Sequence, residues 1–238
     1  MIKHFFRWVK RRTRDTLYEW IFLVLKKRKR TIGRSLIRLS RQRLFDTQET
    51  RYFADNIRLQ TLELCAYEIQ SKNVPGNIAE LGVYRGDFAI KLNESFPDRK
   101  LFLFDTFSGF TENHSKFDIQ QCYSEASQNF SNTSAEFVLG RMKYPENCII
   151  KQGEFPASAQ SVNEQFALVS IDVDLYQAIE AGLNFFFPRL SRGGYILVHD
   201  FNNHDWRGVR PAVVKFCEDN GLTYVPVADA YGSVVIAK

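Results

Sequence analysis

From about residue 52 the chain alternates two hydrophobic periods. Residues 52–72 carry Ile57, Leu59, Leu62, Leu64, Ala66 and Ile69 at helical spacing, and Val74-Pro75-Gly76 ends the run. Short apolar segments then alternate with helical ones. Strands are expected at 78–83, 101–105, 148–152, 167–172 and 194–199, and helices at about 87–96, 133–143, 176–190 and 207–220. Such alternation predicts an α/β fold with a mostly parallel sheet covered on both faces, the first helix lying over the edge of the first strand. The end departs from this rhythm. Residues 224–227 and 233–236 are both strand-like, but the five residues between them are too few for a crossover helix, so they are expected to pair as an antiparallel hairpin and complete seven strands.

The first strand runs into Glu80-Leu81-Gly82-Val83-Tyr84-Arg85-Gly86 before a helical pattern resumes. Glycine at 82 and 86 admits a close backbone approach, and the turn presents free N–H groups at a helix start, as nucleotide-binding turns do. The second strand, Leu101-Phe102-Leu103-Phe104-Asp105, ends in a carboxylate 23 residues after Gly82, where it can accept from ribose hydroxyls. The spacing departs from G-x-G-x-x-G, which disfavours a nicotinamide dinucleotide. The Glu-x-Gly-x-x-x-Gly turn resembles that of class I methyltransferases, which implies S-adenosylmethionine.

A second cluster lies further along. Asp172 and Asp174 end one buried strand two residues apart, and His199 and Asp200 end the next. Adjacent parallel strands bring these ends to one rim, where crowded carboxylates repel and a divalent cation relieves the repulsion. Taken singly, each reads as an ordinary strand-end or helix-cap acid; the grouping points to a site. His114 and His204 have no ligand spacing and read as surface residues. The long segment after Asp105 contains Phe107-Ser108-Gly109-Phe110 and a capping box, Thr133 with Glu136, and the residues before that cap read as a lid over the carboxyl edge of the sheet.

Composition bounds the rest. With 238 residues and 45% hydrophobic content, the chain is long enough for one α/β domain and an appendage. Cys65, Cys122, Cys148 and Cys217 form no C-x-x-C pair, which argues against a zinc knuckle or a disulfide framework and suits a reducing cytosol. Residues 1–51 hold 16 Lys/Arg against 4 Asp/Glu, whereas 52–238 hold 16 against 23, so the basicity belongs to an N-terminal arm. The apolar run at 17–25 is too short and too charged to span a bilayer. Lys26-Lys27-Arg28-Lys29-Arg30 stands where a signal cleavage site would be, which predicts cytoplasmic retention. With Phe5, Phe6, Trp8, Trp20 and Phe22 interleaved, the arm (1–50) suits peripheral contact with an anionic inner-membrane face; packing on the core or on a subunit of a homo-oligomer is the alternative. No motif supports nucleic acid as a partner.

From about Arg51 to Lys238 the chain resembles the macrocin O-methyltransferase (TylF-type) family. The likeness rests on Glu80-Leu81-Gly82-Val83-Tyr84-Arg85-Gly86, Phe104-Asp105-Thr106-Phe107-Ser108-Gly109-Phe110, Asp172-Val173-Asp174-Leu175-Tyr176 and Leu190-Ser191-Arg192-Gly193-Gly194-Tyr195, followed by His199-Asp200-Phe201. It implies a class I Rossmann-like fold and O-methylation of a sugar hydroxyl in a surface glycan or glycosylated metabolite. It further implies S-adenosylmethionine at Glu80, Gly82 and Asp105, Mg²⁺ at Asp172 and Asp200, and Asp174 as base; Tyr84, Arg85, Gly86 and Thr106 are further candidates for cofactor contact, and His199 for the metal. Three departures stand out: Asp87 follows the turn in place of a small residue, Gln177-Ala178 replaces a Ser-Thr pair, and His199 replaces a metal-binding Asp. A nitrogen ligand suits Mg²⁺ poorly. The competing readings are a nicotinamide-dependent sugar oxidoreductase, which lacks a closer glycine triplet here, and a non-catalytic membrane-surface adaptor, against which the intact acids argue.

Overall fold

The computed structural model describes the backbone from residue 48 to residue 238 and side chains from Asn56; the expectations for the basic arm lie outside the described residues. The elements are α1 (Gln48–Ser71), β1 (Asn77–Leu81), α2 (Asp87–Ser95), β2 (Leu101–Asp105), α3 (Glu112–Gln120), α4 (Ala135–Leu139), β3 (Cys148–Gln152), β4 (Phe166–Ile171), α5 (Tyr176–Arg189), β5 (Leu190–Val198), α6 (Val209–Asp219), β6 (Val225–Pro226) and β7 (Val234–Ala237). The sheet order is β3-β2-β1-β4-β5-β7-β6. The first five strands are parallel, and β7 runs antiparallel to both β5 and β6, as the hairpin expectation requires.

Period-2 alternation sorts the strand side chains to two faces. Ala79, Leu81, Phe104, Val169, Ile171 and Val198 face α5 and α6, where Phe104, Phe155, Phe166 and Phe186 meet edge to face. Ile78, Leu101, Leu103, Leu168 and Leu197 face α1 and α2. Every residue of β4 is buried, as expected for a central strand covered on both sides. Among the described residues no helix is long and apolar enough to cross a membrane.

Two expectations need correction. The first helix does not cover the edge of the first strand: β1 sits mid-sheet, and α1 packs on α2, β4 and β5 through Leu62, Ala66 and Ile69. The capping box also shifts. The Ser134 side chain, not that of Thr133, accepts the Phe137 N–H, while the Thr133 hydroxyl donates to the Tyr84 carbonyl at 2.5 Å. The helix it starts is only Ala135–Leu139.

The chain winds outward from β1 through β2 and β3, then returns to β4 on the other side of β1. The crevice at the carboxyl ends of β1 and β4 is therefore the topological switch point, where open parallel sheets bind ligands.

Candidate active site

Gly82 stands at that switch point. Its φ is +87°, and a Cβ built there would lie 2.0 Å from the Asp172 carbonyl oxygen, so the close crossing of the two strand ends tolerates only glycine. Asp105 holds the turn that follows: Oδ2 accepts the Val83 and Tyr84 N–H groups at 2.7 Å each, and Oδ1 accepts that of Phe107 at 2.7 Å. These bonds fix Tyr84 at φ +49° and Phe107 at +54°. Three of the roughly four acceptor positions of a carboxylate are thereby used, leaving one for a ligand. Asp105 is thus an organiser of the turn before it is a ligand contact, a role that spacing alone does not reveal.

A cavity of about 640 Å³ opens over this turn, and Glu80, Gly82, Tyr84, Arg85, Asp105 and Thr106 all line it. Gly86 does not. A Cβ there would meet Val138 Cγ1 at 3.0 Å, so this glycine serves the packing of the turn against α4. The Thr106 hydroxyl donates to the Gly109 carbonyl at 2.7 Å, and Arg85 is exposed with its guanidinium 5.0 Å from the Phe137 ring. Glu80 is buried, and its Oε2 has no hydrogen-bond partner. Desolvation raises its pKa well above the carboxylate range despite the nearby Arg58 charge.

The acidic rim closes the same cavity. His199 Nδ1 lies 2.9 Å from Asp172 Oδ1 and 2.8 Å from Asp200 Oδ2. The remaining oxygens are engaged from behind: Arg58 Nη2 donates to Asp172 Oδ2 at 3.0 Å, and Asn203 Nδ2 to Asp200 Oδ1 at 2.5 Å. Each residue thus offers one atom to a common point, and these atoms lie within 4.8 Å of one another. Outer partners that orient inner ligands in this way are typical of divalent-cation sites, and two oxygens with one nitrogen make a donor set such a cation can use.

The charges are strongly coupled. Desolvation and Arg58 disfavour the His199 imidazolium, yet Asp172 and Asp200 outweigh them and raise its pKa to about 10. Desolvation opposes ionisation of Asp172, but His199 and Arg58 hold its carboxyl far below the usual range. Desolvation, then Asp200 and Asp172, push Asp174 well above it, and Asp174 hydrogen-bonds Asp200. Asp174 and Asp200 both adopt left-handed backbone, φ +62° and +60°. Such conformations in non-glycine residues cluster at functional sites.

Several cavity residues carry no sequence signal. Arg58 belongs to α1, and its partner Asp172 is 114 positions away. His114, expected at the surface, is half-buried and lines the cavity, where desolvation lowers its pKa against the pull of Glu154. The lid expected after Asp105 contains α3, and Phe110 packs edge-on against both Phe130 and Trp206, at 5.2 and 5.4 Å between centroids. The Tyr84 hydroxyl, 2.7 Å from Asn132 Oδ1, ties the glycine turn to this lid.

The chain is 24% identical over 156 residues to the demethyldecarbamoylnovobiocin O-methyltransferase of Streptomyces niveus, 60% of each protein. It is 27% identical over 159 residues to the mycinamicin III 3''-O-methyltransferase of Micromonospora griseorubida, 60% of this chain and 62% of that one. It thus spans about three-fifths of the length of these relatives. The solved structure of the O-methyltransferase NovP superposes with a TM-score of 0.63 at 20% identity, covering 76% of this chain and 80% of the other. That likeness bears out the class I Rossmann-like fold. Residues 39–230 match the macrocin-O-methyltransferase (TylF) family, a span that takes in the glycine turn, the acidic rim and every strand from β1 to β6. The chain belongs to the macrocin O-methyltransferase (TylF) family.

Proposed function

We propose that the protein is an S-adenosylmethionine-dependent O-methyltransferase that acts on a sugar hydroxyl of a glycosylated metabolite or surface glycan, assisted by a divalent cation. The observation that carries this reading is one cavity at the β1/β4 switch point, walled on one side by the glycine turn with Asp105 and on the other by Asp172, Asp174, His199 and Asp200.

The turn suits the cofactor on three counts. Gly82 leaves a cradle that a side chain would fill, Asp105 keeps one acceptor position for a ribose hydroxyl, and the unpartnered Glu80 Oε2 suits an ammonium. When bound, the cofactor supplies a sulfonium methyl for in-line displacement by an acceptor oxygen. Asp172, His199 and Asp200 would hold the cation, which would lower the pKa of an acceptor hydroxyl. Mg²⁺ is the cation implied by the family likeness, and the imidazole ligand widens the choice to Mn²⁺ or Co²⁺.

Asp174 takes the hydroxyl proton as general base. Burial, followed by the neighbouring Asp200 and Asp172, raises its proton affinity, and a cation held at the rim would offset that crowding so that the carboxylate can accept the proton. The lid excludes water, and Phe110, Phe130 and Trp206 offer an aromatic wall for the apolar face of a sugar ring, with His114, Gln128 and Asn203 as polar partners. Positioning and fixed charge provide the acceleration.

The methyltransferase domain is taken as residues 51–238, in the cytoplasm. The basic arm supports peripheral contact with anionic lipid, which salt-sensitive co-sedimentation with anionic vesicles tests. The test of the activity is transfer of labelled methyl from S-adenosylmethionine to a panel of glycosylated natural products and bacterial glycans. Label on a sugar oxygen is expected; transfer to carbon or nitrogen alone, or to no member of a broad panel, would overturn the reading.

A further inference from the structure

Arg58 has no place in the motifs that define the site, yet it sits deep within it. Its side chain is 14% exposed, and its guanidinium carbon lies 4.0 Å from the centroid of the Phe88 ring. One of its nitrogens donates to Asp172 Oδ2. A guanidinium carries five N–H donors, so most of this one's hydrogen-bonding capacity is not engaged by Asp172. Glu80, at the end of β1, is 2% exposed and has a buried oxygen with no partner. Arg58 and Glu80 are close enough to influence each other electrostatically, but no ion pair joins them.

The ion pair with Asp172 leaves Arg58 further donors, and the buried Glu80 oxygen has no partner, so each residue has hydrogen-bonding capacity left for a ligand in the cavity. Both line that cavity, as do Gly82, Tyr84 and Phe88, the last of these beneath the Arg58 guanidinium. The ligand chemistry that matches them is an α-amino acid zwitterion, whose carboxylate complements a guanidinium and whose ammonium complements a carboxylate.

Resting on the S-adenosylmethionine reading, we propose that Arg58 is a cofactor-binding residue that takes the carboxylate of the methionine moiety, opposite Glu80, which takes its ammonium. The two would form a clamp that selects nucleosides with an intact amino-acid tail. Arg58 reaches the site from α1, before the first strand, so the clamp joins the helix that precedes the sheet to the cofactor. The bond to Asp172 holds the guanidinium in place and links the cofactor end of the cavity to the acidic rim.

The experiment is calorimetry of the full chain with S-adenosylhomocysteine, its decarboxylated analogue and 5′-methylthioadenosine, which lack the carboxylate and the whole amino-acid end respectively. Wild-type protein is expected to bind S-adenosylhomocysteine about 10–100-fold more tightly than the decarboxylated analogue. In Arg58→Gln, S-adenosylhomocysteine should fall to the affinity of the analogue while the analogue itself is unchanged, and Arg58→Lys should recover part of the loss. Equal weakening of all three ligands by Arg58→Gln would assign Arg58 to support of Asp172 and overturn the clamp. If Arg58→Gln fails to fold, the wild-type series and Arg58→Lys decide: equal wild-type affinity for S-adenosylhomocysteine and its decarboxylated analogue overturns the clamp alone. Wild-type protein that binds none of the three overturns the cofactor reading itself.

Discussion

The carboxylate of Asp118, on the lid helix α3, accepts the backbone N–H of Tyr176, the first residue of α5, at 3.1 Å. This bond ties the lid to a helix that starts two residues after Asp174. Asp118 is fully buried, and desolvation raises its pKa to about 6 against the pull of the Tyr176 N–H. The folded protein therefore holds this proton more tightly than the unfolded chain, whose carboxyl titrates near 3.8. The contribution of Asp118 to stability is greatest below about pH 4, falls as pH rises to about 6, and is level above that. Asp118→Asn keeps an acceptor for Tyr176 and removes the charge. Its melting temperature should match wild type at pH 4 and exceed it at pH 8 by about 2–4 °C, equivalent to about 1 kcal/mol. A lower melting temperature than wild type at pH 8 would show that the charge is needed.

Asp105→Ala should damage the turn as well as cofactor affinity. The substitution strips the acceptor from the Val83, Tyr84 and Phe107 N–H groups together. Leaving a buried donor unpaired costs about 1–3 kcal/mol. S-adenosylhomocysteine affinity should drop at least tenfold, with a lower melting temperature in the same preparation. Unchanged values of both would mean that the turn holds its shape without Asp105.

Asp174→Asn should separate binding from turnover. The side chain lies among Asp200, Asp172 and His199, and the amide cannot accept the hydroxyl proton. Single-turnover methyl transfer is expected to fall by about 10²–10⁴-fold, the usual share of a general base, while calorimetric cofactor affinity stays within about threefold. Comparable losses in both would make Asp174 a structural acid.

Cation removal tests the rim. Chelation, with depletion verified by elemental analysis, should abolish turnover and spare cofactor binding, because the grouped ligand atoms belong to Asp172, His199 and Asp200 and to neither Glu80 nor Asp105. Readdition should restore activity at lower Mn²⁺ or Co²⁺ than Mg²⁺, as the imidazole ligand implies. Full turnover in the metal-free protein would leave the cluster as an acid–base device alone.

The sequence resolved what depends on local pattern. Strand β4 and its terminal acids were legible because a run that is apolar but for Ser170 stops abruptly at Asp172, and Gly82 because the strand-to-helix turn around it can form only with a residue lacking a Cβ. Long-range pairing was not legible. Arg58 looks like any polar residue of an amphipathic helix until Asp172 is brought beside it, and Asn203 acquires its role only when its side chain meets Asp200. Helix α3 was missed because Glu112–Gln120 carries few apolar residues and a weak helical periodicity. Its burial of Asp118 arises from tertiary contact with α5, which no local rule anticipates. The shifted cap has a simpler cause: Thr133 and Ser134 are adjacent hydroxyls, and Thr133 is drawn off by the Tyr84 carbonyl.

The most direct measurement is calorimetric titration of the full wild-type chain with S-adenosylhomocysteine, with NADPH titrated in parallel. One equivalent bound at micromolar affinity or better is expected, and no heat from NADPH, because the Gly82 turn, Asp105 and the Glu80 oxygen form one wall of a single cavity. Absence of binding by S-adenosylhomocysteine, or preferential binding of the dinucleotide, would contradict the methyltransferase assignment at its root.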